Sequence, residues 1–569
     1  MIDASTRHVR FPRWTGLVAL IVLSIGSTFT CISNTWVQDD LPIIRGNLLV
    51  HTLAHPWVLF GQAYWPWPYP QDLYRPLTMI SFAVQWVVGG GHEPTFRVVS
   101  ILLYLGATFA VYRLALRCLG PGAAWVAAAW FAVHPVHVEA VAVAVNQAEL
   151  VVAILLSLLV AAYLDRRRSG APLTKRWMAL IVVGYLAAML FKENGAMLPA
   201  FLVAAELTII DDGRSWRERL TLLRPLYLWF VLVAVCLAEV RTRVLAGNTK
   251  GSFTAEALGG LHIGGRALTM LGVVPQWFRL LFWPAHLQAD YSPGEIVGTT
   301  HWGAAQSLGA LLLIATAVLA WFCWRRRPVV TFGILWTAIG LIPISNVLIP
   351  TGIVLAERTL FLSSVGVVIA GTALLWPAGV WLYARGSIAR IAVATGAIVL
   401  LAMGLSRSAS RQMVWHDSAA LWFQSITDAP RSWRAHHAYA AVLFGVDMKH
   451  TAELEYRKAM DLYPAALPVY IDLADKYRGA GMCEPALHLY QEVLIMMPAH
   501  NGVRGSEVAC LLWLGRYQEA SIEARIGASY GFQHTTLARY AEIADSAERV
   551  HAPPHTVNLP PPVDSIPRR

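Results

Sequence analysis

Apolar residues run through this chain in blocks of about twenty, the length a helix needs to cross a hydrocarbon core. Polar residues collect between the blocks. The first block covers 14–32, and others cover 95–117, 121–138, 147–164, 177–192, 195–210, 224–241, 304–324, 329–347, 360–383 and 388–406. Together they predict an all-α, polytopic membrane bundle of about eleven transmembrane helices. The stretch 266–283 is apolar too, but Pro275 and Arg279 interrupt it. It is expected to lie at the interface or re-enter the membrane.

Past Arg407 the pattern changes to amphipathic helical periodicity without long apolar runs, from 415 to 540. Pro430, Pro464 and Pro498 recur at a spacing of 34, Ala452, Tyr456 and Ala459 match Ala486, Tyr490 and Val493, and Gly481 matches Gly515. A 34-residue period of small, aromatic and proline positions is the tetratricopeptide signature. Two repeats are clear, and a third near 499–532 is weaker. The expected division is a membrane domain over 1–411, with its first outer loop at 33–94, a tetratricopeptide α-solenoid over 412–545, and a proline-rich disordered tail over 546–569.

Composition agrees with the pattern. The chain is 56% hydrophobic and 14% charged, where soluble proteins carry roughly 25% charge. The net charge of +10 does not point to nucleic acid, because the basic residues form short clusters between apolar blocks and make no basic face. Arg113 and Arg117, Arg166–Arg168, Arg214–Arg219, Arg325–Arg327, and Arg385 with Arg390 all fall on one predicted side, as positive-inside clusters do. Arg7, Arg10 and Arg13 precede the first block, and no small-x-small cleavage site follows it, so a retained first span with a cytoplasmic N-terminus is expected. An odd span count then places the repeats on the extracytoplasmic side of a bacterial inner membrane. The six cysteines show neither zinc spacing nor a disulfide framework, and Cys483 and Cys510 read as buried free thiols.

Candidate chemistry concentrates on the predicted outer side. The first loop carries Asp39, Asp40 and Arg75; HPVHVEAV carries His134, His137 and Glu139; Glu149 follows in NQAEL, Lys192 and Glu193 in FKENG, Asp290 before the 304–324 block, and Glu357 and Arg358 in LAERTLF. Ionisable groups at membrane level are costly and mark function by default. The bland readings are an N-cap for the acid pair, a local ion pair for Lys192 and Glu193, and interfacial snorkelling for Arg75 and Arg358. His-x-x-His-x-Glu does not match zinc spacing, and Pro135 breaks its geometry, so these residues read as helix-end polar groups or supports of a catalytic centre. The aromatics Trp57, Tyr64, Trp65, Trp67 and Tyr69 read as an interfacial belt.

The order DDLPIIRGN, YRPLTMISFAVQW, FAVHPVHVEAVAVAVNQAEL, FKENG, LLFWPAHLQADYS and PTGIVLAERTLFLSSVG resembles the transmembrane and tetratricopeptide-repeat O-mannosyltransferases. These are C-type membrane glycosyltransferases, and the resemblance covers about 36–500. It implies a GT-C-like helical fold and a polyprenyl-phosphate-linked sugar, mannose, as donor. It also implies an acid in the first outer loop at the reacting centre. On that pattern Asp39 and Asp40 are catalytic, with Asp40 slightly favoured, and Glu139 is the second-loop acid. Charge and placement add Arg75, Lys192 and Arg358 as donor-phosphate contacts, with His134, His137, Glu149, Glu193, Asp290 and Glu357 in support. Two departures, Arg97 and Ser100 where the family carries His and Asn, and Asn146-Gln147 where it carries Gly-Arg, bear on sugar and acceptor more than on fold. A base to take the acceptor proton and cations to stabilise the leaving phosphate are the needs such a transfer imposes. A divalent cation, Mg or Mn, bridging phosphate and carboxylate is a second route, so the metal requirement stays open. The partners implied are the lipid-linked sugar, membrane lipid, and an acceptor protein held at a Ser or Thr hydroxyl through the repeats. The alternatives are modification of an envelope lipid or glycan, and a non-catalytic membrane scaffold built on the repeats.

Overall fold

The computed structural model describes residues 13–69, 71–246, 254–530, 533–557 and 559. Arg7 and Arg10, and the end of the proline-rich tail, lie outside them. The described residues form helices and turns with no strand. They divide into two compact units, one comprising residues up to 292 with 296–428, the other 293–295 with 429 onward.

The first unit contains α1 (Arg13–Thr28), α2 (Pro76–Gly89), α3 (Glu93–Cys118), α4 (Pro121–Ala132), α5 (Val138–Ala142), α6 (Gln147–Arg168), α7 (Lys175–Phe191), α8 (Leu198–Thr208), α9 (Trp216–Val244), α10 (Ile263–Phe282), α11 (Ala304–Arg326), α12 (Pro328–Leu341), α13 (Phe361–Tyr383), α14 (Ser387–Gln412) and α15 (Ser418–Asp428). Seven of the eleven expected spans form helices long and apolar enough to cross a membrane: those at α1, α3, α6, α9, α11, α13 and α14. The other four blocks give shorter helices, α4, α7, α8 and α12, of 12, 17, 11 and 14 residues. Each short helix ends or begins at a polar interruption: HPVH after α4, KEN between α7 and α8, and IPISN after α12. Proline lacks the N–H a helix needs, and side chains that bond to nearby backbone compete with the helical ladder. A hydropathy window cannot separate such a broken segment from a continuous span.

The stretch singled out at 266–283 is α10, one unbroken helix of 20 residues that runs through Pro275. Its buried residues, Met270, Val273, Val274, Trp277, Leu280 and Leu281, fall at the three- and four-residue spacings of a single stripe. It is amphipathic, and it is not among the seven helices of spanning length and hydropathy.

Charge in this unit sits at two levels. α3 and α6 pack together, with Arg97 and Glu149 near their starts and Arg113, Arg117, Asp165 and Arg167 toward their ends. At 1.5 Å per residue the two levels of α6 are about 27 Å apart, near the thickness of a hydrocarbon core. At the far level Arg167 binds Glu206 through two nitrogens and Asp212 at 2.6 Å, and Arg113 and Arg117 bind Asp165. Between the levels the helices touch closely. A Cβ on Gly333 of α12 would stand 2.5 Å from the Gly366 carbonyl oxygen of α13, and Trp336 stacks on Phe201 at 4.0 Å while its indole N–H donates to the Leu362 carbonyl.

The second unit is a run of paired helices: α16 (Trp433–Gly445) with α17 (Lys449–Leu462), α18 (Leu467–Gly479) with α19 (Cys483–Met496), and α20 (Asn501–Trp513) with α21 (Tyr517–Ala528), closed by α22 (His534–Arg549). The third pair is as well formed as the first two. Gly481 and Gly515 turn the second and third pairs at φ of +75° and +76°, a left-handed conformation open to glycine without a Cβ clash. The repeating Ala452, Tyr456, Ala459 and Ala486, Tyr490, Val493 are all buried. Tyr456 donates to Asp472 at 2.5 Å and Tyr490 to Asp475 at 2.6 Å, so both period-related tyrosines tie into α18. After α22 the chain folds back: the Tyr517 hydroxyl donates to the Ala552 carbonyl, and Val557 packs on the core.

Glu507 of α20 is 2% exposed, and its Oε2 has no hydrogen-bond partner. Burial, and then the neighbouring Glu523 carboxylate, push its carboxyl up to about 7 against the pull of Arg504, Gln491 and Arg516. A carboxyl raised in the folded state favours folding while protonated. Its unfavourable contribution therefore starts as pH rises past about 4.5 and is complete above about 7. Glu507→Gln, a mimic of the protonated form, should stabilise the unit by on the order of 1–2 kcal/mol at pH 8 after allowing for solvent screening, and by much less at pH 5. Thermal unfolding of both proteins at the two pH values measures this, and a gain equal at both would refute it.

Candidate functional site

The near end of the first unit is assembled around a break in the helix after α4. His134 caps a 3-10 turn at Pro135–His137 by accepting the Val136 N–H; α5 follows for five residues, and a second 3-10 turn spans Ala144–Asn146 before α6 begins. Such a break leaves backbone N–H groups without helical partners, and buried N–H groups must be satisfied. Asp40 supplies two of the bonds: its Oδ2 accepts from Ala144 at 3.2 Å and its Oδ1 from Val145 at 2.9 Å.

Asp40 is fully buried, and so is its counter-ion Arg97, whose Nη2 lies 3.0 Å from Asp40 Oδ2. Three more guanidinium hydrogens go to the carbonyls of Asn34, Thr35 and Ala142. Trp36 packs edge-on to Phe96 at 4.9 Å, with the Arg97 guanidinium 5.8 Å from its ring. The first loop is thereby clamped to the start of α3 and to the broken segment. Gln38 takes φ of +46°, and this left-handed residue lies just before the point where Asp39 and Asp40 diverge. Asp40 turns inward to its three partners. Asp39 stays 36% exposed at its side chain, 3.8 Å from Arg358 Nη2. The Asp40 oxygens are enclosed and occupied, and of the pair the Asp39 carboxylate is the part-exposed one.

Glu139 of α5 is buried and takes both the side chain and the backbone of Arg358. Its Oε1 pairs with Nη1, and its Oε2 accepts the Arg358 N–H at 2.8 Å. Arg358 lies on the 3-10 turn Glu357–Leu360 that opens α13. One arginine thus sits between a buried acid and a part-exposed one, with its own side chain 15% exposed. Its neighbour Glu357 points elsewhere: it accepts the Gln288 N–H at 2.6 Å and the Tyr291 hydroxyl at 3.1 Å, tying the 288–291 loop to the start of α13.

A second group lies beside the first. Arg75 forks onto Glu193 at 2.7–3.2 Å with its guanidinium 4.9 Å from the Tyr64 ring, and Lys192 pairs with Glu149, which also accepts from Asn194. Glu149 is within electrostatic reach of both Arg75 and Arg358, so the two groups share one field. Burial alone would raise the Glu193 carboxyl, but Arg75 outweighs it, and the carboxyl titrates below its ordinary range.

The structure thus brings Asp39, Asp40, Glu139, Arg358, Arg75, Lys192, Glu149 and Glu193 together. The other expected residues do different work. The His137 ring nitrogens face Tyr104 at 2.9 Å and Ser364 at 2.8 Å, and the His134 nitrogens face Leu281 and Val136. Both imidazoles thereby join helices. Asp290 accepts the Ser292 N–H in a local turn. Among the described residues no group of three His, Cys, Asp or Glu is placed to hold a metal ion. Sequence reasoning noted Arg97 as a departure from a pattern and missed its place in the site. The available signal was a cation near the start of an apolar helix with an acid pair one loop before it.

Searches against known proteins find relatives throughout. The chain is 24% identical over 460 residues to a protein O-mannosyl-transferase of Caenorhabditis elegans, covering 79% of this chain and 63% of the relative. It is 29% identical over 346 residues to protein O-mannosyl-transferase TMTC4 of Homo sapiens, covering 52% and 46%. It is 25% identical over 535 residues to protein O-mannosyl-transferase Tmtc3 of Drosophila melanogaster, covering 81% and 56%. The chain spans about half the length of the curated relatives it matches. No family model and no solved structure matches it. With an apolar helical bundle followed by paired 34-residue repeats, the chain is a divergent relative of the transmembrane and tetratricopeptide-repeat protein O-mannosyl-transferases.

Proposed function

We propose that this protein transfers a sugar, mannose, from a polyprenyl-phosphate carrier to a Ser or Thr hydroxyl of an acceptor protein, on the extracytoplasmic side of a bacterial inner membrane. The observation that carries the reading is the Asp39–Arg358–Glu139 constellation, an exposed carboxylate and a buried one sharing a single arginine. The names of the relatives support a glycosyltransferase that acts on protein.

In this reading the acceptor hydroxyl attacks the anomeric carbon as the bond from that carbon to the phosphate oxygen breaks. Asp39 takes the hydroxyl proton, and the carrier departs as its phosphate. A single displacement inverts the anomeric centre. Arg358, with the Arg75 and Lys192 group beside it, offsets the charge that grows on the leaving phosphate. Glu139 holds Arg358 in place from the buried side, and Arg97 with Asp40 holds the loop that carries Asp39. The latter two position the site and do not touch the substrate.

This division of labour separates two neighbouring substitutions. Asp39→Asn should fold normally and lower kcat by about 100-fold or more, within the span of general-base contributions, with donor binding largely kept. Asp40→Asn puts an amide N–H₂ among donors and leaves the Arg97 charge buried without its partner, a change that costs about 3–5 kcal/mol. It should show as loss of folded protein. Size-exclusion profiles and transfer rates from polyprenyl-phosphate mannose to a Ser/Thr peptide measure both. Wild-type turnover by Asp39→Asn would remove this loop from the chemistry.

The repeats are assigned to acceptor capture, since such arrays present concave peptide-binding surfaces. A chain ending at Asp428 keeps the Arg411–Asp428 pair and the Thr35–His416 bond within the first unit. It should still bind donor lipid and should lose transfer to protein. With all native cysteines replaced, Glu453→Cys should react with a membrane-impermeant thiol reagent on intact cells. Reaction only after lysis would move the repeats to the other side.

A further inference from the structure

At the far level of charge, away from the site above, α8 and α9 line a groove of about 560 Å³. Its walls are almost wholly apolar, formed by Val203, Leu220, Leu223, Leu228 and Val231 with the Tyr227 ring. Two of the lining residues, Leu220 and Val231, are 63% and 60% exposed. On a helix of spanning length and hydropathy, that exposure faces lipid.

Three polar residues, Glu206, Thr221 and Arg224, also line the groove, and one of them is unengaged. Arg224 lines it, is exposed, and makes no hydrogen bond or ion pair among the described residues. Apart from Asp211, which is exposed and outside the groove lining, the acids at this level are already engaged. Glu206 is held by Arg167, Tyr163 and Arg219, Asp212 by Arg167 and Arg214, Asp165 by Arg113 and Arg117, and Glu218 closes the capping box with Ser215. A guanidinium at membrane level without a carboxylate calls for an anion from elsewhere.

Depth specifies the anion. α9 has 29 residues and begins at Trp216 behind its capping box. At 1.5 Å per residue it is about 43 Å long, about 13 Å more than a hydrocarbon core. Arg224 lies about 12 Å in from the start, roughly 5 Å below the core's edge if the excess is shared between the ends. Helical side chains lean toward the N-terminus, so the guanidinium reaches back to the level of lipid phosphates. Pro225 adds a second polar feature: it has no N–H to give the Thr221 carbonyl, and Thr221 lines the same groove.

We propose that the α8–α9 groove is a binding site for an anionic diacyl phospholipid, its phosphate on Arg224 and one acyl chain along Leu220, Leu223, Leu228 and Val231. The site is separate from the reacting centre, and the proposal holds whatever sugar the enzyme transfers. Arginine's planar fork suits a phosphate, and a charge-assisted pair in a largely apolar groove exceeds an exposed one.

Native mass spectrometry of the purified full chain, with phosphatidylglycerol and phosphatidylcholine of matched acyl chains, tests it. The wild type should retain one phosphatidylglycerol about ten-fold over phosphatidylcholine, the size of one charge-assisted hydrogen bond. Arg224→Gln should erase the preference. Leu220→Trp, which fills the groove and keeps the arginine, should release the lipid as well. Arg217→Gln, on the same helix but outside the groove, should change nothing. Equal retention by wild type and Arg224→Gln, or equal loss in Arg217→Gln, would overturn the site. Displacement of phosphatidylglycerol by an equal amount of polyprenyl phosphate would overturn the assignment to a diacyl lipid.

Discussion

A fully buried ion pair, Arg97 with Asp40, is the constraint on which the near end of the membrane unit depends. Removing two charges from water costs several kcal/mol per ion, and attraction repays that only when the remaining hydrogen bonds are filled. Here they are filled by the first loop and the interrupted segment: Asp40 takes the amides of Ala144 and Val145, and Arg97 takes the carbonyls of Asn34, Thr35 and Ala142. The pair therefore does more than neutralise itself. It makes an interrupted span tolerable at membrane depth, where unpaired backbone polar groups are otherwise excluded. The interruption in turn delivers Glu139 to Arg358 and leaves Asp39 facing outward.

How much of this was legible follows from what kind of information each feature needs. The seven long helices are properties of local composition and were readable, as was the 34-residue period, because proline and glycine mark helix ends for local steric reasons. The four short helices were not separable from spans, since a window average over FAVHPVHVEAV or LIPISNV stays apolar while Pro135 and Pro343 end the ladder. The convergence of acids and bases from distant segments was anticipated from their shared side. Which of Asp39 and Asp40 faces inward was not, because that depends on the backbone angle of Gln38 and on a partner 57 residues away. Arg97 was hidden for a related reason: an arginine near a helix start reads as a snorkelling surface residue until its acceptors are seen.

The two levels of charge differ in how they are satisfied. At the far level, acids and arginines are largely matched within the protein, with Arg167 holding α6, α8 and the loop behind α8. At the near level Arg75 forks tightly onto Glu193, whereas Asp39 is held at 3.8 Å, beyond hydrogen-bond distance.

Arg358 answers to two carboxylates unequally, tightly to Glu139 and loosely to Asp39. On the proposed reaction this asymmetry bears on turnover. A lipid-linked sugar donor is a phosphodiester with one negative charge, whereas the carrier left behind is a monoester that approaches two at neutral pH. The same arginine would then hold the spent carrier more firmly than the donor it came from. The nearby Asp39 carboxylate, having passed its proton on, would become the local competitor that loosens that hold, so that resetting the base and expelling the product would be one event.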